Sequence, residues 1–190
     1  MVRSGTSVPL WAGVFAVLVV FGPAWAGGGS YTCVDLNPTG FASTYGYGIS
    51  STQQVGYGWG MATGGNSHAL LWTGTAASAV DLHPSGFYAS YATGTNGTQQ
   101  VGWALPTGGG QPHAMLWTGT SDSVLDLQQF LPSGFTGSEA LGIDEQGNVV
   151  GFATNDLGSA QAVPWQVPEP ASAILLSIGA AMVAVRRRKA

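Results

Sequence analysis

The sequence predicts an all-β fold made of three similar four-stranded units, and three recurring stretches carry that expectation. SHALLWTGT from Ser67 returns as PHAMLWTGT from Pro112, and its HALLW core decays to QAVPW at 161–165. Val34, Asp35 and Leu36, followed by Pro38, Gly40 and Phe41, return as Val80, Asp81, Leu82, Pro84, Gly86 and Phe87. They return again, stretched, as Leu125, Asp126 and Leu127 with Pro132, Gly134 and Phe135. Gln53, Gln54, Val55 and Gly56 return as Gln99, Gln100, Val101 and Gly102, then as Asn148, Val149, Val150 and Gly151. The units therefore run over about 34–79, 80–124 and 125–167, at a period of 45 to 49 residues.

Within each unit, short apolar or aromatic runs are separated by Gly, Asn, Ser and Thr, the punctuation of strands and turns. In unit three the runs lie near 140–143, 149–153 and 162–166, and 144–148 reads as a hairpin turn. Four strands in about 45 residues is the size of a propeller blade. Propellers use about four to eight blades, so a β-trefoil of twelve strands stands as the alternative. A VDL strand at 34–36 at the outer edge of a blade would complete the last unit, which ends after Trp165 without one. Pro164 has no N–H to give a ladder, which confines its strand to a sheet edge or an outward-facing position.

Alternation along the repeated strand puts His68, Leu70 and Trp72 on one face and Ala69 and Leu71 on the other, as it does for His113, Met115 and Trp117. Both faces are apolar, the mark of a strand covered on both sides. Trp persists at 72, 117 and 165, whereas the histidine becomes Gln161. The strand therefore reads as scaffold, with the histidine bonded to a nearby turn in a way that Gln can copy. No G-x-S-x-G, H-x-x-x-H, C-x-x-C or acidic calcium loop occurs, so no catalytic residue, metal or cofactor is expected. A hydrolase would need His68 or His113 set against an acid such as Asp81.

Charge narrows the partners. Between Gly27 and Val167 there are eight acids and no Lys or Arg, a net charge near −8 with neutral histidines. Nothing can neutralise phosphates, so nucleic acid is excluded. Cys33 is the sole thiol and can form no intramolecular disulfide.

The ends are export signals. Residues 1–26 read as a secretory signal helix, with Arg3, an apolar run over 8–21, and Ala24 and Ala26 framing an A-x-A cleavage site. Residues 171–185 are uncharged and apolar, and Arg186, Arg187, Arg188 and Lys189 follow at once. This is a transmembrane helix short for a hydrocarbon core of about 30 Å, with its basic cluster on the cytoplasmic side. Val167, Pro168, Glu169 and Pro170, the apolar helix and the terminal basic cluster together resemble the PEP-CTERM sorting signal over 168–190. That resemblance implies recognition by an exosortase-type membrane protease, loss of the tail, and a membrane-anchored precursor that ends at the cell surface or outside it. The two prolines keep the stretch extended. Residues 31–167 resemble the HAF extracellular repeat, through its H-A-x-L-W strand and its G-x-V-V-G turn.

Together these readings give a secreted, non-enzymatic structural or interaction protein of the envelope or extracellular matrix. The alternative is a lectin-like module that binds exopolysaccharide, for which Trp59 and Trp103 are the candidates. Both follow a Q-Q-V-G stretch at positions near a loop, where an indole can stack on a sugar ring.

Overall fold

The structure, a computed structural model, describes residues 31–168. It is all-β, with 3₁₀ turns as its helical elements. Sheet one comprises β1 (Phe41–Ile49), β2 (Gln54–Gly60), β3 (His68–Trp72) and β4 (Val80–Asp81). Sheet two repeats it with β5 (Phe87–Thr95), β6 (Gln100–Pro106), β7 (His113–Trp117) and β8 (Leu125–Asp126). Sheet three has three strands, β9 (Phe135–Ile143), β10 (Val149–Asn155) and β11 (Ala160–Trp165). Every sheet is an antiparallel meander in chain order.

This bears out the all-β expectation and the four-stranded unit for sheets one and two. No closed barrel is present among the described residues, so the trefoil alternative gains nothing. The expected outer strand at 34–36 is not a strand, and sheet three stays incomplete. The reason lies in connectivity. Residues 80–81 and 125–126 begin a repeat in the sequence but pair backwards, onto β3 and β7 of the preceding sheet. By the same rule, 34–36 belongs to a sheet that would precede sheet one. Pro164 lies on the edge strand β11, which has β10 as its one neighbour. The expected signal helix at 1–26 and the membrane helix at 171–185 lie outside the described residues. Among the described residues, no helix is long and apolar enough to cross a membrane.

Neighbouring sheets bury apolar faces against each other. Val55, Ala69 and Leu71 of sheet one pack with Ala92, Ala104, Met115 and Trp117 of sheet two. Val101, Ala114 and Leu127 pack with Ala140, Val149 and Trp165 between sheets two and three. The repeated strand is thus covered on both faces: Ala69, Leu70, Leu71 and Trp72 are all buried. Trp72 and Trp117 are at 1% and 0% exposure, which makes the tryptophan the fixed packing element of the repeat.

The repeated polar residues are clamps. Gln54 and Gln100 accept the N–H groups of Gly74 and Gly119, each at 2.8 Å, and so tie the TGT loops to the second strand. Ser78 and Ser123 then close those loops, accepting from Thr73 and Thr118 and donating to the Thr75 and Thr120 carbonyls. Sheet three has Val149 in place of the glutamine and no TGT loop, so among the described residues clamp, loop and fourth strand are missing together. The glycine after each V is obligatory. A Cβ at Gly56, Gly102 or Gly151 would fall on the carbonyl oxygen of Tyr45, Tyr91 or Glu139 on the adjoining strand. The expected turn at 144–148 is present: Asp144 N donates to Asn148 O at 3.0 Å, and Asn148 N to Asp144 Oδ1 at 2.8 Å.

Candidate functional site

Tyr and Trp alternate with Gly along β2, so Tyr57 and Trp59 project from one face of sheet one while Gly56, Gly58 and Gly60 occupy the other. Tyr45, opposite Tyr57 on β1, stacks on it at 5.2 Å between ring centroids and lies 5.5 Å from Trp59. The cluster crosses to sheet two, where Tyr57 meets Tyr91 edge-on at 4.7 Å and Tyr91 stacks on Trp103 at 4.0 Å. With Tyr47, 5.7 Å from Tyr57, six rings form one continuous aromatic surface. Tyr45 and Tyr47 are 47% and 62% exposed, so this surface is open to a ligand rather than sealed in the core.

At its sheet-three end lies an open cleft of about 500 Å³. Tyr47, Tyr57, Tyr91, Trp103, Leu141 and Glu139 line it, and Glu139 is its one charged group. Burial raises the Glu139 carboxyl above its ordinary value. Burial, and then the neighbouring Tyr47 hydroxyl, raise the Tyr57 phenol, which stays a protonated donor. Aromatic faces, one strong acceptor and phenolic donors are the components of a carbohydrate subsite.

The histidines are set against acids. His68 Nδ1 lies 2.7 Å from Asp81 Oδ2, and His113 Nδ1 lies 2.8 Å from Asp126 Oδ2. The pairs join the third strand to the fourth, since Leu70 faces Asp81 and Met115 faces Asp126 in the ladders. The bond is to a neighbouring turn, as the repeat suggests: each aspartate also accepts the N–H two residues on, from His83 and Gln128, at 2.8 Å. Sheet three has Gln161, exposed, with no fourth strand beside it.

His83 is the histidine whose role a glutamine copies. Its Nε2 lies 3.1 Å from the Phe87 carbonyl, an acceptor, so Nε2 carries the hydrogen and Nδ1 accepts from the Ser90 hydroxyl at 2.9 Å. Ser90 is fully buried, and its Oγ accepts the Ala69 N–H at 2.9 Å. One repeat later, Gln128 donates to Phe135 O and accepts from Ser138, which accepts the Ala114 N–H at 3.0 Å. An amide that cannot act as a base fills the same position, so the arrangement serves to join sheets. Among the described residues, no group of three or more His, Cys, Asp or Glu could hold a metal.

The structure thus brings Trp59 and Trp103 onto one surface. Val167 and Pro168 follow β11 directly, and the Val167 N–H is held by Asn148 Oδ1 at 3.1 Å. Glu169, Pro170, the cluster Arg186, Arg187, Arg188 and Lys189, and the cleavage residues Ala24 and Ala26 lie outside the described residues. Sequence reasoning counted the tyrosines among the rings that could stack on sugar but singled out none of Tyr45, Tyr47, Tyr57 and Tyr91, and gave Glu139 no role. The signal was present in YGYG at 45–48 and YGWG at 57–60, where every second residue is a ring and the rest add no side chain.

Comparison with known families finds the PEP-CTERM protein-sorting motif at residues 166–189 and lends no support to HAF-type repeats. Neither the curated proteins nor the solved structures contain a match. The motif carries the implication of an exported, surface-sorted protein processed by an exosortase-type enzyme.

Proposed function

We propose that this chain is a non-enzymatic interaction protein of the envelope or extracellular matrix whose aromatic surface binds glycan, with exopolysaccharide of the producing cell as ligand class. The observation that carries it is the run of six rings from Tyr45 to Trp103, ending in a cleft with a single half-buried carboxylate. A sugar ring stacks its C–H face on an aromatic ring and spends its hydroxyls on a carboxylate and phenols. A domain of net charge near −8 takes a neutral polymer more readily than a polyanion. The absence of a catalytic role draws support from the Ser90 and Ser138 arrangements, where histidine and glutamine are interchangeable.

The precursor is held at the membrane by 171–185 until an exosortase-type protease, reading Pro168, Glu169 and Pro170, removes the tail. Titrating the exported protein with purified exopolysaccharide tests the binding. Tryptophan fluorescence should change, and Trp103→Ala should lower affinity at least tenfold. No response from the parent protein would leave a passive structural role. The intact mass of the exported form tests cleavage after Ala26 and near Pro170.

A further inference from the structure

Sheets one and two each end on a short fourth strand. Among the described residues sheet three has none, and residues 34–36 carry the sequence of a fourth strand but pair with no sheet. Asp35 Oδ1 accepts the Asn37 N–H at 2.9 Å, the turn that Asp81 makes with His83 and Asp126 with Gln128. Asn37 also reaches the Phe41 carbonyl, as His83 reaches that of Phe87 and Gln128 that of Phe135. The segment is held in the shape of its counterparts, yet Val34 is 54% exposed and pairs with no strand among the described residues. At the far end, the face of sheet three turned away from sheet two carries Val150 at 56% exposure, where its counterparts Val55 and Val101 are at 0%. Trp117 and Trp165 pack in the junction with the preceding sheet, whereas Trp72, in the same place, has no preceding sheet among the described residues.

We propose that two copies of this chain close a six-bladed propeller, each giving residues 34–36 to the other's third sheet as its missing fourth strand. The registers Leu71 to Val80 and Leu116 to Leu125 carry over as Pro164 to Val34 of the second copy. Leu36 then takes the place of Leu82 and Leu127, which are at 0% and 5% exposure. A third inter-sheet contact follows, in which Val150, Ala162 and Pro164, all exposed in the single chain, are covered by Leu36 and its neighbours from the other copy. Leu70 and Trp72 are already buried in the single chain, at 1% exposure each, so the surface newly covered is that of Val34, Val150 and Pro164. Propellers use about four to eight blades. Two copies of three sheets fall inside that range and three copies fall beyond it. Pro164 has no N–H to give, so the shared ladder is one hydrogen bond poorer than those of β3 and β7.

The exported protein, studied by sedimentation velocity, should run at twice the chain mass. Leu36→Asp and Val150→Asp change side chains at the free ends of the single chain, so each should halve that mass while leaving the circular dichroism spectrum unchanged. A variant carrying Val34→Cys and Pro164→Cys on Cys33→Ser should, on mild oxidation, give a covalent dimer and no higher ladder. A monomer for the parent protein, a monomer that pairs its own two cysteines, or an open ladder of head-to-tail products would each overturn the closed dimer. Glycan binding is read separately, so either result leaves the other proposal standing.

Discussion

Replacing His83 separates a hydrogen-bonding role from a chemical one. Its ring spends both nitrogens, on Phe87 O at 3.1 Å and on Ser90 Oγ at 2.9 Å, and stacks on His68 at 3.9 Å. His83→Leu leaves the buried Ser90 hydroxyl without an acceptor and the Phe87 carbonyl without its donor. An orphaned buried polar group costs about 1–3 kcal/mol. Taking about 2 kcal/mol for the pair, because the site is half-buried, and about 4 °C per kcal/mol for a domain of this size, Tm should fall by about 8 °C at pH 7.5. His83→Gln keeps a donor and an acceptor in the places that Gln128 uses, and should lose less than half of that.

Acid supplies the second reading. Burial, and then the stacked His68, lower the His83 pKa, against the opposing pull of Asp81 and of the Phe87 carbonyl. The unfolded chain therefore takes up this proton first as pH falls. Stability from the neutral ring is complete above the unfolded value of about 6.5 and is lost as pH drops through the lower folded value. Calorimetric melts at pH 7.5 and 5.0 should show a steeper acid loss for the parent protein than for His83→Gln. Equal losses for His83→Gln and His83→Leu at pH 7.5, or identical acid slopes for parent and His83→Gln, would refute the reasoning.

Gly102→Ala, which sets a methyl against the Tyr91 carbonyl, should cost about 1–3 kcal/mol in a urea titration. Gly46→Ala, with nothing within 4 Å of its Cβ, should cost far less. Glu139→Gln should stabilise the protein at neutral pH, because burial raises this carboxyl and its charged form opposes folding as pH rises through the folded value. The same variant should bind exopolysaccharide more weakly, a loss and a gain measured on one sample. Trypsin should leave residues 27–167 intact even in 8 M urea, roughly the strength that unfolds most domains, because they contain no Lys or Arg.

The fold was legible where a repeat states its structure twice. HALLW and HAMLW carry the two-sided burial of β3 and β7, and Pro164 announces the edge strand. The connectivity was not legible, because VDL looks like the start of a unit when read along the chain and becomes the end of one when paired in space. The histidines at 68 and 113 were read as bonded to a neighbouring turn, and they are, whereas His83 was missed, since its partner Ser90 lies on β5. The aromatic surface was half seen. Trp59 and Trp103 stand out as large residues near loops, whereas the tyrosines that join them lie on β1, β2 and β5, and Tyr57 meets Tyr91 across a sheet boundary.

The bond from Asn148 to the Val167 N–H fastens the chain as it leaves β11, and the sorting motif starts at residue 166. The matched motif thus begins one residue after the last strand ends. Residues 166–168 leave the sheet directly after Trp165, the last residue of β11. The end of the domain and the first residues of the motif are therefore one continuous piece of chain, and unfolding the β9–β10 turn would free both together.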